Sequence, residues 1–400
     1  MGLPPFRGSF TQQEPIPDEG IAAAVEVMQS GRLHRYNVLA GEESETVGLE
    51  RDYAAWQGSD YCLAVASGGQ AMQIALRAAG VKPGDKVLTN AFTLAPVPGA
   101  IAGVGAEPVL VEITEDLVID LDDLRAKAEG LGAKVLMLSN MRGHLCDMDA
   151  LMALAASLDI TVLEDCAHTM GASWRGKKSG RFGLAGCFSS QTYKHINSGE
   201  GGLITSSDDA FMARAIMLSG SYMMFDRHGA GPSADVYADI KLDTPNISAR
   251  MDNLRAAILR PQLAKLDDAI ARWNDRYRTV EAGLAQSDIF HLPQRPSEEF
   301  FVGSSIQFMM PGLEAAAARA FLRDTAERGV DLKWFGDANP VAFTSAHPSW
   351  RYVPRQHLPQ TDRVLAGLFD MRLPLTFSLA DCELIAAHIV EAANALVANA

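Results

Sequence analysis

Short apolar runs alternate with longer stretches of helical periodicity between residues 60 and 206. Seven of these runs lack polar alternation, which is typical of strands covered on both faces of a sheet. They span residues 61–67, 86–90, 107–113, 134–139, 161–165, 186–190 and 201–206. Segments with helical period lie between several of them, at 71–79, 121–128 and 148–157. The pattern predicts βαβ units and a mostly parallel seven-stranded sheet in an α/β protein.

Outside this region the periodicity is mainly helical. It predicts helices over residues 18–29, 43–56, 313–328 and 379–398, and a long helical stretch from 250 to about 281. A strand is predicted at 304–310, and an irregular stretch rich in aromatic residues follows at 334–352. We therefore expect a large domain over residues 1–260, which includes the N-terminal helices, and a smaller C-terminal α/β domain over residues 261–400.

Composition narrows the classes of function. The net charge of −14 argues against nucleic-acid binding, which needs basic patches. No apolar run reaches the length of about 20 residues that spans a membrane, and residues 1–17 do not resemble a secretory signal, so a cytoplasmic location is expected. The five cysteines form no CxxC pair and no cluster with His at ligand spacing, which predicts free thiols and no metal site.

Candidate chemistry lies at the predicted strand ends, where open α/β sheets bind their ligands. Gly68 and Gly69 follow the strand 61–67 and open a helix, so free backbone N–H groups there could bind an anion. A glycine pair at such a position is, taken alone, more often a simple turn. A second glycine-dense turn, at residues 199–202, leads into the last strand of the series.

Two ionisable side chains occupy similar positions. Asp165 ends the strand 161–165, and a buried carboxylate there needs a partner such as the protonated ring nitrogen of pyridoxal phosphate. An N-cap of the following segment is the plainer interpretation of Asp165. Lys194 follows the strand that contains Ser189, and it could be a solvated surface lysine or, if desolvated, a nucleophilic amine.

The order and spacing of these features resemble the DegT/StrS family of sugar aminotransferases, which belongs to fold type I of pyridoxal-phosphate enzymes. The resemblance runs from about residue 15 to the C-terminus. It implies that Lys194 is the Schiff-base lysine and that Asp165 faces the pyridine nitrogen. It further implies contacts of His168 with the ring hydroxyl and contacts of the phosphate with Ser189, Gly68 and Gly69.

Three positions depart from the family pattern. Gly68-Gly69 replaces the usual Gly-Thr, so one hydroxyl contact to the phosphate is lost. The usual Thr-aromatic pair is Thr93-Leu94, which leaves Phe92 as the candidate for stacking on the ring. The asparagine that reaches the neighbouring subunit usually lies two residues before Arg250, and here the nearest one is Asn246. Apart from these departures, the resemblance implies a homodimer with a shared active site.

The expected activity is ping-pong transfer of an amino group from glutamate or glutamine to a keto-sugar or keto-cyclitol, with Lys194 and Asp165 as catalytic residues and pyridoxal 5'-phosphate as cofactor. Related dehydratases carry His in place of the lysine, and this chain has Lys194 followed by His195. A non-catalytic regulatory descendant of the fold is the other alternative. A Rossmann-type dehydrogenase would need G-x-G-x-x-G after the first strand, which residues 67–72 do not supply. Candidates for the acceptor pocket are Arg35, Tyr36, Phe308, Lys333 and Trp334.

Overall fold

The computed structural model describes residues 3–39 and 41–398. Its central sheet has seven strands in the order β1-β9-β8-β5-β4-β2-β3. The strands are β1 (Tyr61–Val65), β2 (Lys86–Asn90), β3 (Glu107–Val111), β4 (Val135–Ser139), β5 (Thr161–Asp165), β8 (Ala185–Ser189) and β9 (Gly202–Ser206), with the short β6 (Ser173–Trp174) and β7 (Lys177–Lys178) outside this sheet.

Strands β3, β2, β4, β5 and β8 are parallel, and β9 runs antiparallel between β8 and β1. Each observed strand begins and ends within two residues of the predicted run. The predicted α/β class and mostly parallel seven-stranded sheet are therefore confirmed. Because the parallel strands share one direction, their carboxyl ends, including Asp165 and Ser189, meet at one edge.

Helices cover both faces of the sheet, and alternate strand residues face separate cores. Leu136 and Val162 belong to one buried cluster, whereas Met137 and Leu163 belong to another. Covering both faces explains why the strands lack polar alternation. The helices are α1 (Asp18–Ser30), α2 (Glu45–Gln57), α3 (Gly68–Ala78), α4 (Pro96–Gly103), α5 (Leu121–Leu131), α6 (Met148–Leu158), α7 (Asp209–Ser219), α8 (Tyr237–Asp243), α9 (Asn253–Ala264), α10 (Leu266–Leu284), α11 (Ala315–Glu327), α12 (Pro359–Ala366) and α13 (Leu379–Ala398).

The long helical stretch predicted from residue 250 to about 281 is two helices, α9 and α10. They meet at Lys265, whose φ of −102° and ψ of 1° interrupt the helix. The two helices pack against different partners, since α9 contacts α1 and α2 whereas α10 contacts α13. Helices α4, α7, α8 and α12 were not predicted, and three of them, α4, α8 and α12, have eight residues or fewer.

A second, antiparallel sheet follows, with the order β11-β13-β12. It consists of β11 (Ser305–Met309), β12 (Lys333–Trp334) and β13 (Leu368–Arg372), and β10 (Glu299–Phe300) pairs instead with β6. Residues of α10, α11 and α13 build its separate core. Phe6 and Phe10 also pack in this core against Phe377, so the N-terminus contacts the C-terminal part of the chain. The domain boundary at 260/261 stays a prediction.

None of the helices within the described ranges is long and apolar enough to cross a membrane. The five cysteines are buried free thiols. Among residues 3–39 and 41–398, no group of His, Cys, Asp and Glu is arranged to hold a metal ion.

Candidate active site

Lys194 lies in the loop after β8 and lines a cavity at the carboxyl edge of the main sheet. Its Nζ is 2.9 Å from Nε2 of His168. Burial lowers the pKa of Lys194 to about 7; the carboxylate of Asp165 opposes this shift, and the positive charges of Arg142 and Arg372 add to it. A large fraction of the Lys194 amine is therefore neutral near pH 7, as a nucleophilic amine requires.

Asp165 ends β5, which pairs directly with β8 in the sheet. Its Oδ1 accepts a hydrogen bond from the backbone N–H of Ala167 at 3.1 Å, and Oδ2 accepts one from Ser139 Oγ at 3.2 Å. Burial raises the pKa of the Asp165 carboxyl, and the nearby Lys194 charge opposes that shift. The bond to Ala167 satisfies the plainer role of capping the following turn, and Oδ2 retains capacity for a further donor.

His168 lies three residues beyond Asp165, on the segment that leaves β5. Burial lowers its pKa well below 6.5, and the positive charges of Lys194 and Arg142 lower it further. The imidazole is therefore neutral near pH 7 and offers one N–H donor and one acceptor nitrogen.

Backbone segments approach each other closely beside Lys194, Asp165 and His168. A Cβ atom on Gly68 would lie 2.8 Å from the Cβ of Ser189, and one on Gly202 would lie 2.3 Å from the carbonyl oxygen of Ser67. These glycines let the start of α3 approach the last residue of β8 and the first residue of β9. Gly69 faces open space, with only Ser67 Oγ within 4 Å.

This arrangement suits pyridoxal phosphate. The start of α3 and the Ser189 hydroxyl offer N–H and O–H donors for a phosphate group. Asp165 offers a buried carboxylate for a protonated ring nitrogen, and Lys194 offers a neutral amine for an aldehyde. The residues of the candidate site therefore fit the cofactor that the resemblance implies.

Two predicted site residues lie away from this group. Phe92 is buried in a cluster where its ring meets that of Phe335 edge to face at 5.1 Å, and Leu94 lines the Lys194 cavity instead. Asn246 is exposed, and its side chain accepts a hydrogen bond from the backbone N–H of Ser248 at 2.9 Å. The cofactor contacts expected of Phe92 and Asn246 stay predictions.

Residues 16–390 match the DegT/DnrJ/EryC1/StrS aminotransferase family. The chain belongs to this family. It is 30% identical over 346 residues to GDP-perosamine synthase of Caulobacter vibrioides, covering 84% of this chain and 86% of that protein. It is 32% identical over 271 residues to a pleiotropic regulatory protein of Geobacillus stearothermophilus, covering 67% of this chain and 66% of that protein.

The fold agrees with this assignment. The crystal structure of 3-amino-5-hydroxybenzoic acid synthase superposes with a TM-score of 0.83 at 25% identity, covering 100% of both chains. The resemblance and the aminotransferase class predicted from the sequence are confirmed at the level of the family.

Sequence reasoning missed two arginines that line the Lys194 cavity of this aminotransferase-family protein. Arg142 lies three residues beyond the end of β4 and has a left-handed backbone with φ of 56°. Its place after a parallel strand was a usable signal. Arg372 ends β13 of the second sheet and had no such signal, because nothing local predicts that this sheet closes the cavity.

The five candidates for the acceptor pocket have other surroundings. Arg35 and Tyr36 belong to a buried network with Glu50 and His228. Phe308 and Trp334 pack in the core of the second sheet. The Lys333 Nζ lies 3.6 Å from a carboxylate oxygen of Asp370.

Proposed function

We propose that this protein binds pyridoxal 5'-phosphate at Lys194 and transfers an amino group from an amino-acid donor to a keto-sugar or keto-cyclitol acceptor. The observation that carries this proposal is the pairing of two groups at one sheet edge. Lys194 has a pKa lowered to about 7, and Asp165, on the neighbouring strand, is a buried carboxylate. A surface lysine would have neither the shift nor the partner.

The residues would hold the cofactor by its distinct groups. Ser189, Gly68 and Gly69 would hold the phosphate, Asp165 the ring nitrogen, and Lys194 the aldehyde carbon. His168, as a neutral imidazole beside Lys194, would contact the ring hydroxyl. When bound, the cofactor supplies an electron sink that stabilises negative charge at the carbon from which a proton is removed.

The chain itself supplies proton transfer and electrostatics. Nζ of Lys194 removes the proton from the α-carbon of the amino donor and acts in turn as the acid, for which a pKa near neutrality is well matched. Burial raises the pKa of the Asp165 carboxyl, whereas the nearby Lys194 and the hydrogen bonds from Ala167 and Ser139 favour the carboxylate form that would face the ring nitrogen. Alternating donor and acceptor in one site implies ping-pong kinetics.

The proposal also covers the substrate classes and the assembly of the protein. Glutamate or glutamine is the proposed donor, and a homodimer with a shared active site is the proposed assembly, with Asn246 contributing to the partner's site. The name of the relative GDP-perosamine synthase supports a sugar substrate. The name of 3-amino-5-hydroxybenzoic acid synthase supports cyclic keto acceptors more broadly.

A regulatory role without catalysis is the second candidate, and the pleiotropic regulatory protein among the relatives favours it. Lys194, Asp165 and Ser189 are all present, which favours catalysis.

A dehydratase is disfavoured because Lys194 occupies the position where the related dehydratases carry His. Deoxygenated product formed without an amino donor would instead support the dehydratase.

The test combines spectroscopy with substitution. The purified protein is loaded with pyridoxal phosphate, the absorbance of the bound cofactor is recorded, and donors are added one at a time. Borohydride reduction followed by peptide mass spectrometry is expected to place the cofactor on Lys194. Lys194→Ala should lose both the attachment and the donor-dependent change, whereas Lys265→Ala, on an exposed lysine, should retain both. Full turnover by Lys194→Ala would contradict the proposal.

A further inference from the structure

Two arginine side chains line the cavity that contains Lys194. Arg142 and Arg372 line it together with Lys194, and its lining includes no Asp or Glu side chain. The proposed cofactor site accounts for Lys194, since its amine binds the aldehyde. It leaves the two arginines without a role.

Arg142 is buried on one side of the cavity. It is 6% exposed, and its guanidinium lies 2.8 Å from Oδ2 of Asp370. The other oxygen of Asp370 accepts a hydrogen bond from Gln307 at 2.8 Å. Arg142 also has φ of 56°, a conformation that non-glycine residues adopt at a cost in free energy. Such strain in a residue that lines a cavity is typical of functional positions.

Arg372 has a different environment. Its guanidinium carbon lies 3.7 Å from the ring centroid of Tyr193, the neighbour of Lys194, and 5.5 Å from that of Phe343. Across the described ranges, no carboxylate oxygen lies within the 4 Å of an ion pair with Arg372. A guanidinium that lies over an aromatic ring keeps N–H donors at its edge for further hydrogen bonds.

The charges around Arg372 favour binding of an anion at the edge of its guanidinium. Asp370 is approached by Arg142 at 2.8 Å and by Lys333 at 3.6 Å, so its single charge is already shared. Burial lowers the pKa of Arg372 and the positive charge of Arg142 lowers it further, whereas Asp370 and Tyr193 oppose this shift without cancelling it. A bound anion would relieve this repulsion between cations.

We propose that Arg372, oriented by Tyr193 and supported by Arg142, binds a carboxylate of the substrate that reacts at Lys194. The planar fork of a guanidinium matches the two oxygens of a carboxylate, which gives orientation as well as affinity. The inference rests on the proposed function. The carboxylate could belong to the amino-acid donor or to an acidic keto acceptor, since both present the same group.

The test compares Arg372→Met and Arg372→Lys with the wild type in the cofactor-loaded protein. Arg323→Met is the matched control, because Arg323 is an exposed arginine on α11. Calorimetry measures the binding of glutarate, which has two carboxylates and no amine and therefore cannot react. Absorbance titration gives the glutamate constant, and steady-state kinetics gives KM for a keto-uronate and for a neutral keto sugar.

We expect Arg372→Met to weaken binding of at least one carboxylate probe by about tenfold or more, as loss of a charge-assisted hydrogen bond predicts. Arg372→Lys, which retains the charge and loses the fork, should give an intermediate loss and should fold even if the Met variant does not. The neutral keto sugar, the cofactor content and all constants of Arg323→Met should be unchanged. Loss confined to glutamate and glutarate identifies the donor, and loss confined to the keto-uronate identifies the acceptor.

The inference is overturned if both Arg372 variants fold, hold the cofactor and bind every carboxylate probe within about twofold of the wild type. That result would leave the proposed function intact. A wild-type protein that neither holds pyridoxal phosphate nor responds to any donor would overturn the proposed function, and the inference with it.

Discussion

The Nζ of Lys194 lies 2.9 Å from Nε2 of His168, although the two residues follow different strands. The pKa of each is lowered, so both groups are largely neutral just above pH 7. A neutral amine and a neutral imidazole can share one hydrogen bond without a charge, with either group as the donor. The contact therefore orients the Lys194 amine in the cavity without holding it as a cation.

The first prediction concerns the pH dependence of cofactor attachment. A lysine with its pKa lowered to about 7 is mainly protonated below that pH and mainly free amine above it. The rate at which pyridoxal phosphate attaches to the cofactor-free protein should therefore rise through about pH 7 and level off by about pH 8. Stopped-flow absorbance between pH 5.5 and 10 checks this, with Lys194→Ala giving the background from other lysines. A rate that still climbs steeply between pH 9 and 10 would count against it.

The second prediction concerns Asp165→Asn. The amide keeps the size of the side chain and removes the charge beside the proposed ring nitrogen. The donor half-reaction should slow by about 100- to 1,000-fold, as expected for losing a preorganised electrostatic contact. Stopped-flow absorbance measures the rate, and the cofactor content is determined separately. Asp159→Asn, at an exposed residue with 97% of its side chain accessible, is the control and should retain the wild-type rate.

The third prediction concerns the two glycines at the start of α3. Gly68→Ala places a Cβ 2.8 Å from the Cβ of Ser189, so either the helix or β8 must shift. Thermal unfolding should show a lower Tm for Gly68→Ala, with a loss of about 1–3 kcal/mol as is typical of overpacking. Gly69→Ala has space and should keep the wild-type Tm or exceed it slightly. Equal destabilisation by both variants would refute the steric explanation.

The fourth prediction concerns the buried ion pair that fixes residues 35 and 36. Arg35 Nη1 lies 2.7 Å from Glu50 Oε1, and both side chains are at most 1% exposed. Burial raises the pKa of Glu50, but the charges of Arg35 and His228 outweigh it and lower the value to about 2. Glu50→Gln leaves Arg35 without its counter-charge and should lower the free energy of unfolding by about 3–5 kcal/mol at pH 7.

The pH dependence of this pair has a definite sign. The pKa of Glu50 in the folded state, about 2, lies below its usual 4.5, so its stabilising effect is complete above pH 4.5 and is lost as pH falls towards 2. The stability difference between the wild type and Glu50→Gln should narrow over that range in denaturant unfolding. Glu42→Gln, at a partly exposed pair with Arg32, should change stability by less than about 1 kcal/mol at pH 7. A difference that stays constant from pH 6 to 3 would argue against the coupling.

Part of the candidate site was predictable because it is local to strand ends. Asp165, Ser189 and Lys194 each lie at or just after an apolar run, and the parallel arrangement brings such ends to one edge. The surroundings of the acceptor candidates were not predictable, for the opposite reason. Arg35 pairs with a carboxylate 15 residues away and with a histidine 193 residues away, and no local pattern indicates such partners.

The sequence by itself determined the sheet, its seven strands and the family. Strands covered on both faces appear as uninterrupted apolar runs, and the candidate site residues lie at or just after the ends of these runs. Only the tertiary structure decided what surrounds Lys194. Arg372 enters the cavity from a strand nearly 180 residues downstream, and Leu94 lines it while Phe92 turns into a separate core. These positions depend on packing between segments that are distant in sequence, and the short-range periodicity of a chain does not predict that packing.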